Sequence, residues 1–217
     1  IWTGVPIFSA NMDTTGTFET AITLQKHKML TAIHKFYSIK DWEKNVEKLD
    51  PNFISVTVGQ SKEDLQLGQK IFSLNSDIKY LCIDVANGYR EDFINSVKNY
   101  RETFPDKIII AGNVATREMT EALILAGADI VKIGIGPGSV CTTRSVAGVG
   151  YPQLSSISEC SDAAHGLGGH VMADGGCKYP GDVSKAFGAG ADYVMLGGMF
   201  AGHKESGGEL VTDEEGV

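Results

Sequence analysis

Eight short apolar segments rich in β-branched residues recur along the chain, and their spacing constrains the fold more than any other feature. Apart from one longer interval, successive segments begin 22 to 28 residues apart, and each is followed by a helix-like stretch. Continuous apolar strands that alternate with helices indicate a parallel sheet covered by helices. The eight predicted strands begin at Val5, Leu30, Phe53, Lys79, Lys107, Asp129, His170 and Asp192.

Eight strand and helix units predict a (β/α)₈ TIM barrel, and the 217 residues suffice for one such domain, residues 1–217. An open doubly wound sheet is the alternative. Its Gly-x-Gly-x-x-Gly signature after the first strand is absent from the sequence. Because the chain opens with Ile1 on an apolar run, we expect a fragment of a longer chain that lacks an N-terminal extension and the last barrel helix.

Composition narrows the function classes. The net charge of −8 argues against a nucleic-acid-binding surface, and no apolar run approaches the ~18 residues of a membrane span. The four cysteines lack metal-ligand spacing and are too few for a disulfide scaffold, so we expect reduced thiols in a cytoplasmic protein. Cys82 and Cys160 fall on core-facing positions, and a structural role is also the favoured interpretation of Cys177.

The interval between the sixth and seventh strands is 41 residues, which places an insertion of roughly 17 residues where barrel enzymes carry active-site loops. This loop, Gly134 to Gln153, is rich in glycine and contains Cys141. A nucleophilic thiolate, favoured by Arg144, and a buried loop cysteine are equally weighted interpretations of Cys141.

Two glycine pairs follow the seventh and eighth strands, at Gly175-Gly176 and Gly197-Gly198. Loops at these positions in a barrel commonly bind phosphate through bare backbone N–H groups, although tight turns are the alternative. Ser139 would add a hydroxyl donor, and Asp174 would accept the hydroxyls of a phosphorylated ribose. A polar rim is predicted from further side chains at strand ends, namely Asn11, Asp13, His34, Lys35, Asp84 and Asn87.

Long motifs at successive strand ends resemble the IMP dehydrogenase/GMP reductase family of β/α barrels. The motifs that carry this resemblance are GIGPGSVCTTR, GVGYPQL, DGG and MLGGMFAG. Others look like the reductase branch, namely NMDTTGTF, HKFYS, CIDVANGY, AGNVAT and AHGLGGH. Ten residues between Trp42 and Phe53 leave no room for the regulatory domain that most dehydrogenases insert there. The sequence departs from the reductase pattern at Thr15, Phe36 and Ala173. Because Phe36 differs from the usual residue of that pattern, Lys35 is a better candidate than Phe36 for a cofactor contact.

The resemblance implies NADPH-dependent reductive deamination of GMP to IMP and ammonia. Cys141 would attack purine carbon 2, and Thr143 matches the family's proton donor. It further implies a homotetramer and an active site completed by a mobile flap, whose edge the acidic residues 213–215 would form. Two alternatives stay open: an IMP dehydrogenase that reduces NAD while oxidising IMP to XMP, and a non-catalytic nucleotide-binding barrel.

The same resemblance assigns three sets of binding residues. GMP would contact Ser139, Asp174, Gly175, Gly176, Gly197 and Gly198. NADPH would contact Lys35, Asp84, Val85, Ala86, Ile135 and Gly136. A monovalent cation, with K⁺ expected, would lie at Gly136, Gly138, Cys141 and Arg144.

Overall fold

The computed structural model describes residues 2–208, and eight parallel strands form a closed barrel in which each strand pairs with its neighbours in chain order. The first strand also pairs with the last, which closes the sheet. The strands are β1 (Ile7–Ser9), β2 (Leu30–Ile33), β3 (Ile54–Val58), β4 (Tyr80–Asp84), β5 (Ile108–Val114), β6 (Ile130–Ile133), β7 (His170–Asp174) and β8 (Tyr193–Leu196). All eight predicted strands are confirmed, and the open doubly wound sheet is wrong.

Helices connect the strands on the outside of the barrel. They are α1 (Phe18–Leu24), α2 (Ile39–Asn45), α3 (Lys62–Leu74), α4 (Glu91–Thr103), α5 (Arg117–Leu125), α6 (Thr143–Ala147), α7 (Gln153–Gly166) and α8 (Pro180–Gly188). Capping boxes begin α2 and α3, because the Asp41 and Asp64 carboxylates accept the backbone N–H of Ser38 and Ser61. None of these helices, within residues 2–208, is long and apolar enough to cross a membrane.

Successive side chains along each strand point alternately into two cores, as the two-residue period of a β-strand requires. One set of side chains points into the barrel, where Phe8, Tyr80 and Met172 are buried together. The other set packs against the helices, as Ile54, Val56 and Val58 of β3 do. This arrangement leaves the carboxyl ends of all eight strands at one mouth of the barrel, where polar side chains can gather.

Two segments at that mouth are irregular. Residues 134–152 connect β6 to α7 and contain only the five-residue helix α6. Residues 197–208 follow β8 as turns and are tied to the start of α1, where Thr17 and Thr20 hydroxyls donate to the Glu205 carbonyl at 3.0 and 3.1 Å. The predicted flap edge at residues 213–215 lies outside the described residues. Between α2 and β3 the chain runs through a single 3₁₀ turn, Val46–Lys48.

Candidate active site

A cavity of about 600 Å³ opens at the carboxyl ends of β6, β7 and β8, within the usual size of a small-molecule site. Its walls come from the β6–α7 loop and from the segments after β7 and β8. Every residue predicted to contact GMP lines this cavity, as do Gly136, Gly138 and Cys141. Strands and helices alternate along the chain with right-handed connections, so the eight strands run parallel. The loops that follow the strands, although distant in sequence, therefore lie together at one end of the barrel.

The β6–α7 loop is anchored at its base by two side chains. The Arg144 guanidinium donates to the carbonyls of Ile135 and Tyr151, at both ends of the loop. The Gln153 amide donates to the carbonyls of Ile133 and Asp174 at 2.9 and 3.3 Å, which joins the loop to β7. The tip is exposed, with Val140 and Val146 retaining 79% and 82% of their accessible surface.

Cys141 lies exposed at the tip of this loop, and its Sγ is 3.3 Å from Thr143 Oγ1. Hydrogen bonds from the Thr143 side chain and from its backbone N–H lower the pKa of the Cys141 thiol below its ordinary value, with a smaller contribution from Arg144. The sequence prediction named Arg144 as the group that favours the thiolate. Arg144 acts in the predicted direction, but the hydrogen bonds with Thr143, which the sequence did not indicate, make the larger contribution.

This hydrogen bond predicts unequal reactivity among the thiols of the cavity. Cys177 also lines the cavity, but burial raises the pKa of its thiol. At pH 7 we expect iodoacetamide to alkylate Cys141 at least about tenfold faster than Cys177, since the thiolate is the nucleophile. Peptide mass spectrometry over a pH series measures both rates. Thr143→Val should move the Cys141 midpoint to higher pH, and an unmoved midpoint would contradict the assigned cause.

The two glycine pairs form part of the cavity wall, and Gly175 and Gly176 lie against Pro137 of the β6–α7 loop. Gly175 and Gly176 have φ values of 86° and 90°, a conformation that glycine adopts without strain. Within residues 2–208, the amides of Gly176 and Gly198 donate no hydrogen bond. A phosphate group would satisfy such amides.

Behind the cavity lies an ionic cluster that the sequence analysis did not identify. Lys132 Nζ on β6 lies 2.7 Å from Asp84 Oδ1 on β4 and 2.9 Å from Asp174 Oδ2 on β7. Asn113 Nδ2 also donates to Asp174 at 2.8 Å. A lysine within the apolar segment from Asp129 to Gly134 was the available signal, because an unpaired charge is rarely buried.

The residues predicted to contact the cofactor lie beside the cavity rather than in its wall, with Gly136 as the exception. Lys35 Nζ is 3.8 Å from Asp84 Oδ2 and donates to the Asp84 carbonyl at 3.3 Å. Val85 is half-buried, Ala86 is exposed and Ile135 is buried. The Lys35 and Asp84 pair therefore places the ends of β2 and β4 together at the barrel mouth.

The predicted cation ligands fit the chemistry of K⁺ in part. Backbone carbonyl oxygens, as at Gly136, Gly138 and Cys141, suit this ion, and the Gly138 carbonyl already accepts the Cys141 N–H at 3.1 Å. The Arg144 side chain carries donors only, so its carbonyl oxygen alone is available as a ligand. These assignments stay predictions.

Cys82 and Cys160 are buried, as predicted, and burial raises the pKa of Cys82 to about 12. One other group of metal-ligand side chains, His165, His170 and Asp192, occurs among residues 2–208 at the opposite end of the barrel. The Asp192 carboxylate accepts the Val171 N–H at 2.8 Å and lies 2.8 and 3.3 Å from the two imidazoles. Hydrogen bonds that tie α7 to β7 and β8 account for this group.

Fold and site together define a class: a (β/α)₈ barrel with an acidified cysteine at the mouth of a glycine-walled cavity. The family model described as IMP dehydrogenase / GMP reductase domain matches residues 1–216. The chain belongs to this family.

Curated relatives are similar over nearly the whole chain. A protein named GMP reductase from Buchnera aphidicola subsp. Acyrthosiphon pisum (strain Tuc7) is 58% identical over 99% of this chain. One of the same name from Vibrio cholerae serotype O1 (strain O395) is 56% identical over 98%. This chain spans 62% of the length of each. The crystal structure of inosine 5′-monophosphate dehydrogenase from Legionella pneumophila superposes with a TM-score of 0.89 at 36% identity, covering 98% of this chain and 64% of that one.

Proposed function

We propose that this chain is the catalytic barrel of a GMP reductase, which converts GMP to IMP and ammonia with NADPH as reductant. The observation that carries the proposal is the acidified Cys141 at the mouth of the cavity, in a chain 56–58% identical to proteins named GMP reductase. The lower identity of 36% to the Legionella dehydrogenase favours the reductase branch.

The cavity supports a binding mode for GMP. The amides of the glycine pairs and the Ser139 hydroxyl would surround the phosphate, and Asp174 would accept the ribose hydroxyls. Asp174 is suited to this role because Lys132 and Asn113 hold its carboxylate in place. The purine would then extend toward the β6–α7 loop, where Cys141 lies.

The chemistry begins at the Cys141 thiolate, which forms a bond from Sγ to purine carbon 2. The bond between carbon 2 and the exocyclic nitrogen breaks, and ammonia leaves with a proton from solution. Thr143, whose Oγ1 lies 3.3 Å from Sγ, would relay that proton. The hydride for carbon 2 would come from NADPH when it is bound. The bond between Sγ and carbon 2 then breaks and the thiolate returns, so one hydride and one proton are consumed for each ammonia released.

The remaining parts of the proposal concern the whole protein. Lys35 and Asp84 would contact NADPH, K⁺ would bind the loop carbonyls, and the full-length protein would be a homotetramer. Light scattering measures the oligomeric state, and a monomer at assay concentration would contradict the proposed homotetramer. The four free cysteines among the described residues fit a reducing, cytoplasmic compartment.

The deciding experiment assays the full-length protein in both directions. With GMP and NADPH we expect loss of NADPH absorbance and release of one ammonia for each NADPH consumed. NADH formation from IMP and NAD, without the first reaction, would identify a dehydrogenase instead. Tight GMP binding with neither reaction would identify a non-catalytic nucleotide-binding barrel.

A further inference from the structure

Lys132 is a lysine in the interior of the barrel, with 3% of its side chain exposed. It lies on β6, and its ammonium reaches a carboxylate on the adjacent strand β7 and another on β4, two strands away on the opposite side. On the β5 side it packs closely against Gly112, which leaves the room that Lys132 needs, because a Cβ at Gly112 would come within 2.6 Å of the Lys132 Cβ. The ammonium is thus held between two carboxylates by the barrel itself.

The cluster balances its charges. Lys132 and Lys35 are positive, Asp84 and Asp174 are negative, and the Cys82 thiol behind them is neutral because burial raises its pKa to about 12. Burial opposes ionisation of Lys132, but Asp174 and Asp84 together raise its pKa above the ordinary value. Burial likewise opposes ionisation of Asp84, yet Lys132, with Asn11 and Lys35, holds its pKa below the ordinary value. Each buried charge therefore depends on the others.

The two carboxylates face different parts of the site. Asp174 lines the cavity proposed for GMP, whereas Asp84 lies outside its wall and pairs with Lys35. We propose that Lys132 is a positioning residue that keeps Asp84 and Asp174 ionised and oriented, so that the cofactor side and the GMP side of the site share one charge network. This inference rests on the proposed function for its ligands, but the charge network itself is a property of the free protein.

Removing the ammonium should leave two neighbouring carboxylates that cannot both ionise easily. In Lys132→Met one proton is then expected to stay on the pair to higher pH. A protonated Asp174 accepts ribose hydroxyls less well, so GMP binding should weaken at low pH and recover as the pH rises. Free of ligand, the variant should lose stability relative to the parent as the pH rises, because ionising the unpaired carboxylates opposes folding.

The test uses the full-length protein in a Cys141→Ala background, because Cys141 and Asp174 line the same cavity and the charge of Asp174 affects the Cys141 thiol. Calorimetry gives the GMP dissociation constant from pH 6 to 8.5. The ratio of variant to parent at each pH cancels the titration of GMP itself. For Lys132→Met we expect a ratio of about ten or more at pH 6 that falls as the pH rises.

Three matched variants separate positioning from structure. Lys107→Met removes a lysine that donates only to the Ser76 and Ile78 carbonyls at the opposite end of the barrel, and its ratio should stay near one. Lys132→Arg keeps the charge and should keep the parent's pH profile. Lys132→Met combined with Asp84→Asn removes one cation and one anion, so the new pH dependence should vanish even if the single variant folds poorly.

A pH-independent ratio for Lys132→Met, or an undiminished pH dependence in the double variant, would overturn the inference. Thermal unfolding of the ligand-free variants from pH 5 to 8 supplies a second readout. If the parent fails to bind GMP, the proposed function falls, while the unfolding series still decides whether Lys132 holds the carboxylates ionised. Equal pH profiles of unfolding for Lys132→Met and the parent would then refute it.

Discussion

Replacing Cys141 by alanine is expected to lower kcat by about 10,000-fold or more while GMP binding stays within about threefold of the parent. The thiolate acts in the chemical step, and no other cysteine of the described chain combines exposure with a lowered thiol pKa. Apart from Ser139, the phosphate and ribose contacts proposed for GMP come from other segments, at the end of β7 and after β7 and β8. Single-turnover kinetics and calorimetry on the full-length protein measure the two quantities separately.

Two cysteine variants serve as controls. Cys177→Ala changes the same cavity at a half-buried thiol, and Cys160→Ala changes a buried thiol on α7. Both should keep turnover within about tenfold of the parent, since neither thiol is acidified. If Cys141→Ala turned over at the parent rate while Cys177→Ala were inactive, the nucleophile would be Cys177 and not Cys141.

The barrel could be predicted because its signals are local. Each strand is a short apolar run bounded by polar residues or glycine. The spacing between runs can be recognised even if the predicted strand ends are wrong by one or two residues. The 41-residue interval before His170 likewise marked the loop that carries Cys141. The residues predicted to contact GMP lie close together for a related reason. Once the parallel strands close into a barrel in chain order, every loop that follows a strand must lie at the same mouth of the barrel.

The ionic cluster could not be predicted in the same way, because its partners come from β4, β6 and β7. Lys132 is separated from Asp84 by 48 residues and from Asp174 by 42, and only the register of the closed sheet brings them together. The larger cause of the Cys141 acidity was also missed from sequence. Arg144 lowers the pKa of the thiol as predicted, but the hydrogen bonds with Thr143 lower it more, and the sequence does not show which side chain of a loop reaches the sulfur.

Gly134 is the position in the loop where substitution should be most damaging to the fold. It follows β6 directly, and its φ of 149° is one that residues with a side chain rarely adopt. A Cβ at this position would lie 2.2 Å from the Asp174 carbonyl oxygen, which belongs to the backbone and cannot swing aside. We expect Gly134→Ala to lower the free energy of unfolding by about 2 to 4 kcal/mol.

Activity should fall further than stability accounts for, by about 100-fold or more, because the clash separates the Cys141 loop from Asp174. Two glycines in open space separate the contributions. Gly148 has a φ of 65° and no atom within 4 Å, so Gly148→Ala carries backbone strain without the clash and should cost about 1 kcal/mol. Gly166 in α7 lacks both features, and Gly166→Ala should be neutral or stabilising by up to about 1 kcal/mol. Urea unfolding of the three variants gives these values, and the full-length enzyme gives kcat. If Gly134→Ala behaved like Gly148→Ala in both measurements, close packing of the loop on β7 would not be what positions Cys141 over the cavity.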